Sequence, residues 1–317
     1  MKIKKINYYK MELIPWVKKY HPNEPDNISG HKNILQIINN MIEQDNVMNM
    51  ILVGTMGVGK SSIAKCISNK LYGNKSSIMT LKMNASDKRC IGDIRVKIQN
   101  FASTSFENNK KRFIILDEAD SMTLDAQLAL RKIMDQYTNK VNFCIICNYI
   151  RKIHFALKSR SIIFKVKPVH IDFMYNRLKY ISTNENCNYS DEIIKEIVKI
   201  SNGDMRKAIN TLYMLSFHDN ITIKDVYTYS ICISPENKNM LFNILSSTKN
   251  ILYKIEEFDK IIVNNGYNLV MILEILLEYI LINKYYNLLP KISEIEARLN
   301  YDYTYELQLS GILSIFE

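Results

Sequence analysis

"ILVGTMGVGKSSIAKCISNKLY", residues 51 to 72, decides how the rest of the chain is read. It passes from an apolar run through three glycines to Lys60 and Ser61, and then into helical spacing. Gly54, Gly59, Lys60 and Ser61 fit G-x-x-x-x-G-K-[ST] with a strand before and a helix after, the context in which backbone N–H groups turn inward around phosphates. A helix beginning near Lys60 adds its positive dipole end. The Lys60 ammonium can then reach the β- and γ-phosphates, and the Ser61 hydroxyl can ligate Mg2+.

Such a loop needs an acidic partner, and "FIILDEAD", 113 to 120, supplies one. Four apolar residues drive a buried strand whose end exposes Asp117 and Glu118. Asp117 is suited to hold Mg2+ through water, and Glu118 to polarise an attacking water as general base. An isolated Asp-Glu pair more often caps a helix, but downstream of a phosphate loop and on its own strand the catalytic reading is favoured. "CIICN" ends a further buried strand in Asn148, an amide able to orient the lytic water or simply to form a turn. "LKSRS" puts Arg160 after a short helix and before the next strand. There it reads either as half of a surface ion pair or as an arginine finger offered to a neighbouring subunit's nucleotide.

Strand-like runs at 48–53, 77–83, 112–117, 141–147 and 161–166 alternate with helical patterns at 60–72, 92–105 and 123–136. Continuous apolar strands separated by helices imply an α/β module with a parallel sheet covered on both faces. After Pro168 the strand signal stops. Helical spacing follows at 171–184, 190–201, 204–217 and 222–229, with Asp204 as a cap, and reads as a small helical lid. Ser234 and Pro235 fit an N-cap and first helical position, opening a third, all-helical unit. The expected division is 1–168, 169–233 and 234–317. "LVMILEILLEYILI", 269 to 282, reads as a buried helix.

The 317 residues carry 47% hydrophobic residues and few Gly or Pro, as a globular chain does. No segment is long and apolar enough for a membrane span, and "MKIKKINYYKMELIPW" lacks a secretory h-region, so an intracellular compartment is expected. A net charge of +10 favours a polyanionic partner or serves solubility. Cys144 and Cys147 form a C-x-x-C inside a strand-like run with no second ligand pair, so a buried thiol pair is expected rather than zinc or redox chemistry.

Together these motifs resemble the small subunits of replication factor C, the sliding-clamp loader, within the AAA+ ATPases. The resemblance runs from about 13 to 215 through "PWVKKYHP" (15–22), "GTMGVGKSS" (54–62), "MNASD" (83–87), "ILDEADSMTLDAQLALRK" (115–132), "FCIICNYI" (143–150), "LKSRS" (157–161) and "NGDMRKAIN" (202–210). It implies an AAA+ module, a lid and a C-terminal collar that joins five subunits in an open ring. ATP and Mg2+ are the implied cofactors, with Gly54, Thr55, Met56, Gly57, Val58, Gly59, Lys60, Ser61 and Ser62 around the phosphates. Asn148 matches sensor 1, Arg206 the lid arginine called sensor 2, and Arg160 the trans finger. Trp16, Val17, Tyr20, Pro22, Ile28 and Ser29 match segments that wall the adenine.

Arg89, Arg95 and Lys97 match basic positions that follow primer–template phosphates, with Lys152 a further candidate. By the same resemblance Phe101 and Phe106 lie in the region that faces the clamp, as anchors, with core packing the favoured reading for Phe101. The chain departs from the family at His21 (usually Arg), Lys18 (usually Glu), Thr55 and Met56 (usually prolines) and Ser161 (usually Cys). The resemblance implies a nuclear protein in a eukaryotic cell and a cytoplasmic one otherwise. A non-hydrolysing scaffold subunit and another AAA+ DNA motor are the alternative readings.

Overall fold

The computed structural model describes residues 14–22, 30–86, 91–103, 110–187, 189–218, 220–299 and 304–316, the side chains of 91–95 excepted. The chain divides into two compact units, Met1–Tyr213 and Met214–Glu317.

In the first unit five strands, β1 (Met50–Val53), β2 (Thr80–Asn84), β3 (Arg112–Asp117), β4 (Val141–Cys147) and β5 (Ile162–Lys165), pair in parallel in the order β2-β3-β4-β1-β5. β4 is buried at every position and β3 at all but its last. Helices α1 (Trp16–Lys19), α2 (Lys32–Glu43), α3 (Lys60–Tyr72), α4 (Ser76–Met79), α5 (Ile91–Ser103), α6 (Leu124–Gln136), α7 (Phe155–Lys158), α8 (Ile171–Asn184), α9 (Asp191–Ser201) and α10 (Met205–Leu215) follow in chain order.

Side chains alternate across a strand, so each central strand feeds two apolar layers. Met50, Leu52, Phe113, Ile115 and Ile146 join Leu35, Ile38, Ile63 and Ile67 from α2 and α3. Ile51, Ile114, Leu116, Phe143 and Ile145 join Ile98, Leu130, Ile133 and Met134 from α5 and α6. Each such aliphatic side chain contributes about 1.5–3 kcal/mol of burial. The same alternation separates the two thiols: Cys144 belongs to the first layer and Cys147 to the second, both free and buried. They point to opposite faces of the sheet and cannot ligate one ion together.

One strand is shorter than its sequence pattern. Residues 77–83 read as continuous strand, yet Ser76–Met79 is a helical turn continuing the 3-10 turn Gly73–Lys75, and β2 begins at Thr80. Local caps set other boundaries. The Thr123 side chain accepts from the Ala126 N–H and that of Ser190 from Ile193, so α6 and α9 begin one residue later than their apolar patterns. Asp204 caps α10, its Oδ1 accepting from the Lys207 N–H at 2.9 Å.

The second unit contains α11 (Ile223–Tyr229), α12 (Pro235–Ser246), α13 (Ile251–Asn265), α14 (Leu269–Asn283), α15 (Leu289–Arg298) and α16 (Tyr305–Leu313). Ser234 caps α12, with Pro235 at its first position. Asn250 and Asn268 cap α13 and α14. Leu241, Phe258, Ile262, Ile272, Leu276, Ile280 and Ile312 form the core. α14 buries only one face, because Val270, Leu281 and Ile282 on its other side are exposed. Among the described residues no helix is long and apolar enough to cross a membrane.

Candidate functional site

A parallel sheet carries the C-terminal ends of all its strands on one rim, and ligands gather there where the strand order reverses. Here β4 is inserted between β1 and β3. Asn148, which follows β4, therefore stands between the glycine loop after β1 and the acidic pair at the end of β3. A cavity of about 240 Å³ opens at this rim, lined by loop residues 56–62, Asp117, Glu118 and Asn148, by Val17, Tyr20, His21 and Pro22, and by Arg177, Met205 and Arg206.

Lys60 is 8% exposed. Its Nζ donates to Gly54 O at 2.7 Å, Thr55 O at 2.6 Å and Asn148 Oδ1 at 2.8 Å. Burial holds its ammonium below the ordinary lysine value, with Asp117 acting in the opposite sense. Ser61 Oγ donates to Asp117 Oδ2 at 3.0 Å, so a hydroxyl and a carboxylate from two distant segments meet. Glu118 is exposed and left-handed, at φ 55°. Asn148 and Tyr149 donate their backbone N–H groups to Asp120 Oδ2, both at 3.2 Å, which ties the β3 and β4 loops together.

Two close approaches hold the glycine loop. A Cβ on Gly54 would sit 2.3 Å from the Val166 carbonyl oxygen. At Gly57, φ is +66° and a Cβ would lie 1.6 Å from Asp204 Oδ1, while Met205 N donates to Gly57 O at 3.2 Å. The start of α10, with Arg206 as its second residue, is thereby fastened to the loop. His31, buried, pairs its Nε2 with Val58 O at 2.9 Å.

Of the residues expected to wall the base, Val17, Tyr20 and Pro22 line the cavity. Trp16 does not; its indole is buried against Tyr213, ring centroids 5.1 Å apart, behind the wall rather than in it. Gly54 and Thr55 serve as acceptors for Lys60 rather than as lining. Ile28 and Ser29 lie outside the described residues, as do Arg89 and Phe106. Of Arg95 only its place in α5 is described. Lys97 and Lys152 are exposed, Lys152 with its Nζ 5.3 Å from the Tyr149 ring centroid. Phe101 is half-buried against the α5–α6 layer. Arg160 stands outside this cavity, paired with Asp135.

Sequence reasoning missed Arg177, Val169, Met205, Ile209 and Ile146 as lining. Met205 and Ile209 could have been found from Arg206, since they share its end of α10. Arg177 lies on α8 beside the buried Met174–Leu178–Ile181 stripe and donates Nη2 to Tyr20 O at 2.8 Å, a contact across 157 residues. His21 also faces the site. Ser62 Oγ lies 3.2 Å from its Nε2, and burial, with Lys65, Lys82 and Arg206, keeps its imidazole below the ordinary histidine value against the pull of the Pro22 carbonyl.

The model for the ATPase family associated with various cellular activities (AAA) matches residues 50–167. An RCF1/5-like AAA+ ATPase lid model matches 176–214. Among solved structures, the RuvB Holliday junction branch migration motor of Thermotoga maritima aligns with a TM-score of 0.55 at 16% identity, over 83% of this chain and 90% of that one, a likeness of fold. Sheet order, glycine loop and lid together define an AAA+ ATPase. Probable replication factor C subunit 5 of Dictyostelium discoideum is 34% identical over 319 residues, 96% of this chain and 91% of its own. The replication factor C small subunit of Sulfolobus acidocaldarius is 35% identical over 256 residues, 80% and 78% of the two chains. The chain belongs to the replication factor C small-subunit family.

Proposed function

We propose that this chain is an ATP-hydrolysing subunit of a sliding-clamp loader. Its family's name and the meeting of Lys60, Ser61, Asp117, Glu118, Asn148 and Arg206 at one cavity support the reading, and the second of these carries it. In this reading Lys60 leaves its three oxygen acceptors for the β- and γ-phosphates. Arg206 reaches the same phosphates from α10, and Val17, Tyr20 and Pro22 enclose the base. Ser61 and Asp117 hold Mg2+, as suits a hard cation that keeps water and phosphate among its ligands. When bound, the ion neutralises charge on the β- and γ-oxygens. Glu118 takes the proton of the attacking water while Asn148 orients it.

The remaining roles follow the family. Residues 169–233 act as the lid and 234–317 as the collar that joins a pentameric ring with other loader subunits. Arg160 serves the neighbour's nucleotide. Arg89, Arg95, Lys97 and Lys152 follow primer–template phosphates, so each Lys→Ala change should lower the salt slope of DNA binding by about 0.9. ATP closes the ring around clamp and DNA to the extent that it binds the closed state more tightly than the open one. The test is steady-state ATPase of the assembled loader with clamp and primed DNA. Stimulated turnover that is lost in Glu118→Gln supports hydrolysis here, whereas an unaffected rate marks the chain as a scaffold. Arg160→Ala should lower the assembled rate while leaving nucleotide binding nearly intact.

A further inference from the structure

We infer that Asp135 is a positioning residue for Arg160: its carboxylate grips the Nε–Nη2 side of the guanidinium so that the end-on Nη2 proton is left for a neighbouring subunit's polyphosphate. The inference rests on the proposal that Arg160 acts in trans.

The geometry is that of a two-point grip. Arg160 Nε donates to Asp135 Oδ1 at 2.6 Å and Nη2 to Oδ2 at 3.1 Å. Nη1 donates to Ala156 O at 3.0 Å, with Ser159 Oγ at 3.4 Å. Both carboxylate oxygens are thus spent on the Nε side of the fork, and the α7 carbonyl fixes rotation about its axis. An arginine carries five N–H donors in a rigid plane. The Nη2 proton turned away from Asp135 has no acceptor among the described residues, and it points along the end-on edge that a phosphate oxygen would approach.

The support behind the grip is rigid. Asp135 sits in the last turn of α6, whose Leu130, Ile133 and Met134 are buried in the sheet layer. Arg131, one turn earlier, brings its Nε to 3.7 Å from Asp135 Oδ2. The hydrogen bond from Arg160 holds the Asp135 carboxyl below the ordinary range, so the pair remains ionised at neutral pH. As a free-standing surface ion pair it would add little to stability. Its effect lies in orientation, because a long side chain already confined to one rotamer loses less freedom when it meets its target.

The experiment compares Arg160→Ala, Asp135→Asn and Asp135→Glu in the loader assembled with its partner subunits, clamp and primed DNA, reading ATPase kcat and KM, with assembly checked by gel filtration. Asp135→Asn should produce about half or more of the kcat loss seen in Arg160→Ala, with KM for ATP changed less than about twofold. Asp135→Glu should restore part of the loss, and the double variant should be no worse than Arg160→Ala alone. A normal or raised kcat in Asp135→Asn beside a depressed one in Arg160→Ala overturns the positioning role and leaves the finger standing; a raised rate would mean the carboxylate restrains the arginine instead. Loss of assembly in Asp135→Asn overturns it too. An unchanged rate in Arg160→Ala removes the trans reading itself, and this inference with it.

Discussion

The cavity rim of the first unit and the helical core of the second differ in how their polar atoms are placed. At the rim, polar atoms from segments far apart in sequence converge: Lys60 meets Asn148, Ser61 meets Asp117, and Gly57 meets Met205. In the second unit the helix caps are local, with Ser234, Asn250 and Asn268 each accepting from an N–H three residues on. Its core is apolar, and its long-range polar contacts are separate pairs between α12 and α14, Lys238 with Glu278 and Ser246 with Tyr279, or tie α12 to the Asn265–Tyr267 turn. Local caps and isolated polar pairs on an apolar core yield a shape; polar atoms from several distant segments gathered at one cavity yield a site.

The largest effect should come from the core. Phe258, fully buried, should cost about 3–5 kcal/mol of stability as Phe258→Ala, read by denaturant unfolding. Nucleotide affinity should not move, and a matching loss of affinity would break the contrast. Lys60→Ala should do the reverse, weakening ATP binding by about a hundredfold or more, roughly 2.7 kcal/mol, in calorimetric titration with little change in unfolding. Wild-type affinity in that variant would remove the phosphate-binding role.

Smaller effects sharpen the same contrast. Gly57→Ala forces a side chain into Asp204 at a left-handed position, and should cost about 1–3 kcal/mol while also loosening nucleotide binding. Asn250→Ala should cost about 1 kcal/mol, the ordinary value of a lost helix cap, with no change at the cavity.

The smallest is a pH effect. Burial depresses the His31 imidazole below the ordinary value, with the Val58 carbonyl opposing. The unfolded chain therefore takes up the proton first, so this contribution is full above about pH 6.5 and is lost as pH falls below it. The melting temperature should drop from pH 7.5 to 5.5, and His31→Gln should flatten part of that slope. An unchanged slope would assign the effect to other groups.

The contrast also explains what the sequence discloses. β3, β4 and α3 match their sequence patterns residue for residue, because unbroken apolar runs and a glycine-lysine turn leave few alternatives. Ser76–Met79 escaped because a short mixed segment fits either period, and the turn before it decided the outcome. The side chains that meet at the cavity, Lys60, Ser61, Asp117, Glu118 and Asn148, were legible as a group because the pattern for a phosphate loop demands particular residue types at particular spacings. Arg177 carries no such signature; only folding brings it to Tyr20. Trp16 shows the converse, since an aromatic in the right motif found its neighbour in Tyr213.

The contact between Gly57 and Asp204 has a genetic consequence. The two positions occupy one volume, so they should mutate as a pair. A growth defect from Gly57→Ala should be relieved by a second-site change at Asp204 to glycine, which vacates the space and still serves tolerably as a helix cap. A suppressor screen seeded at the loop would therefore be expected to return alleles in the lid, 147 codons away.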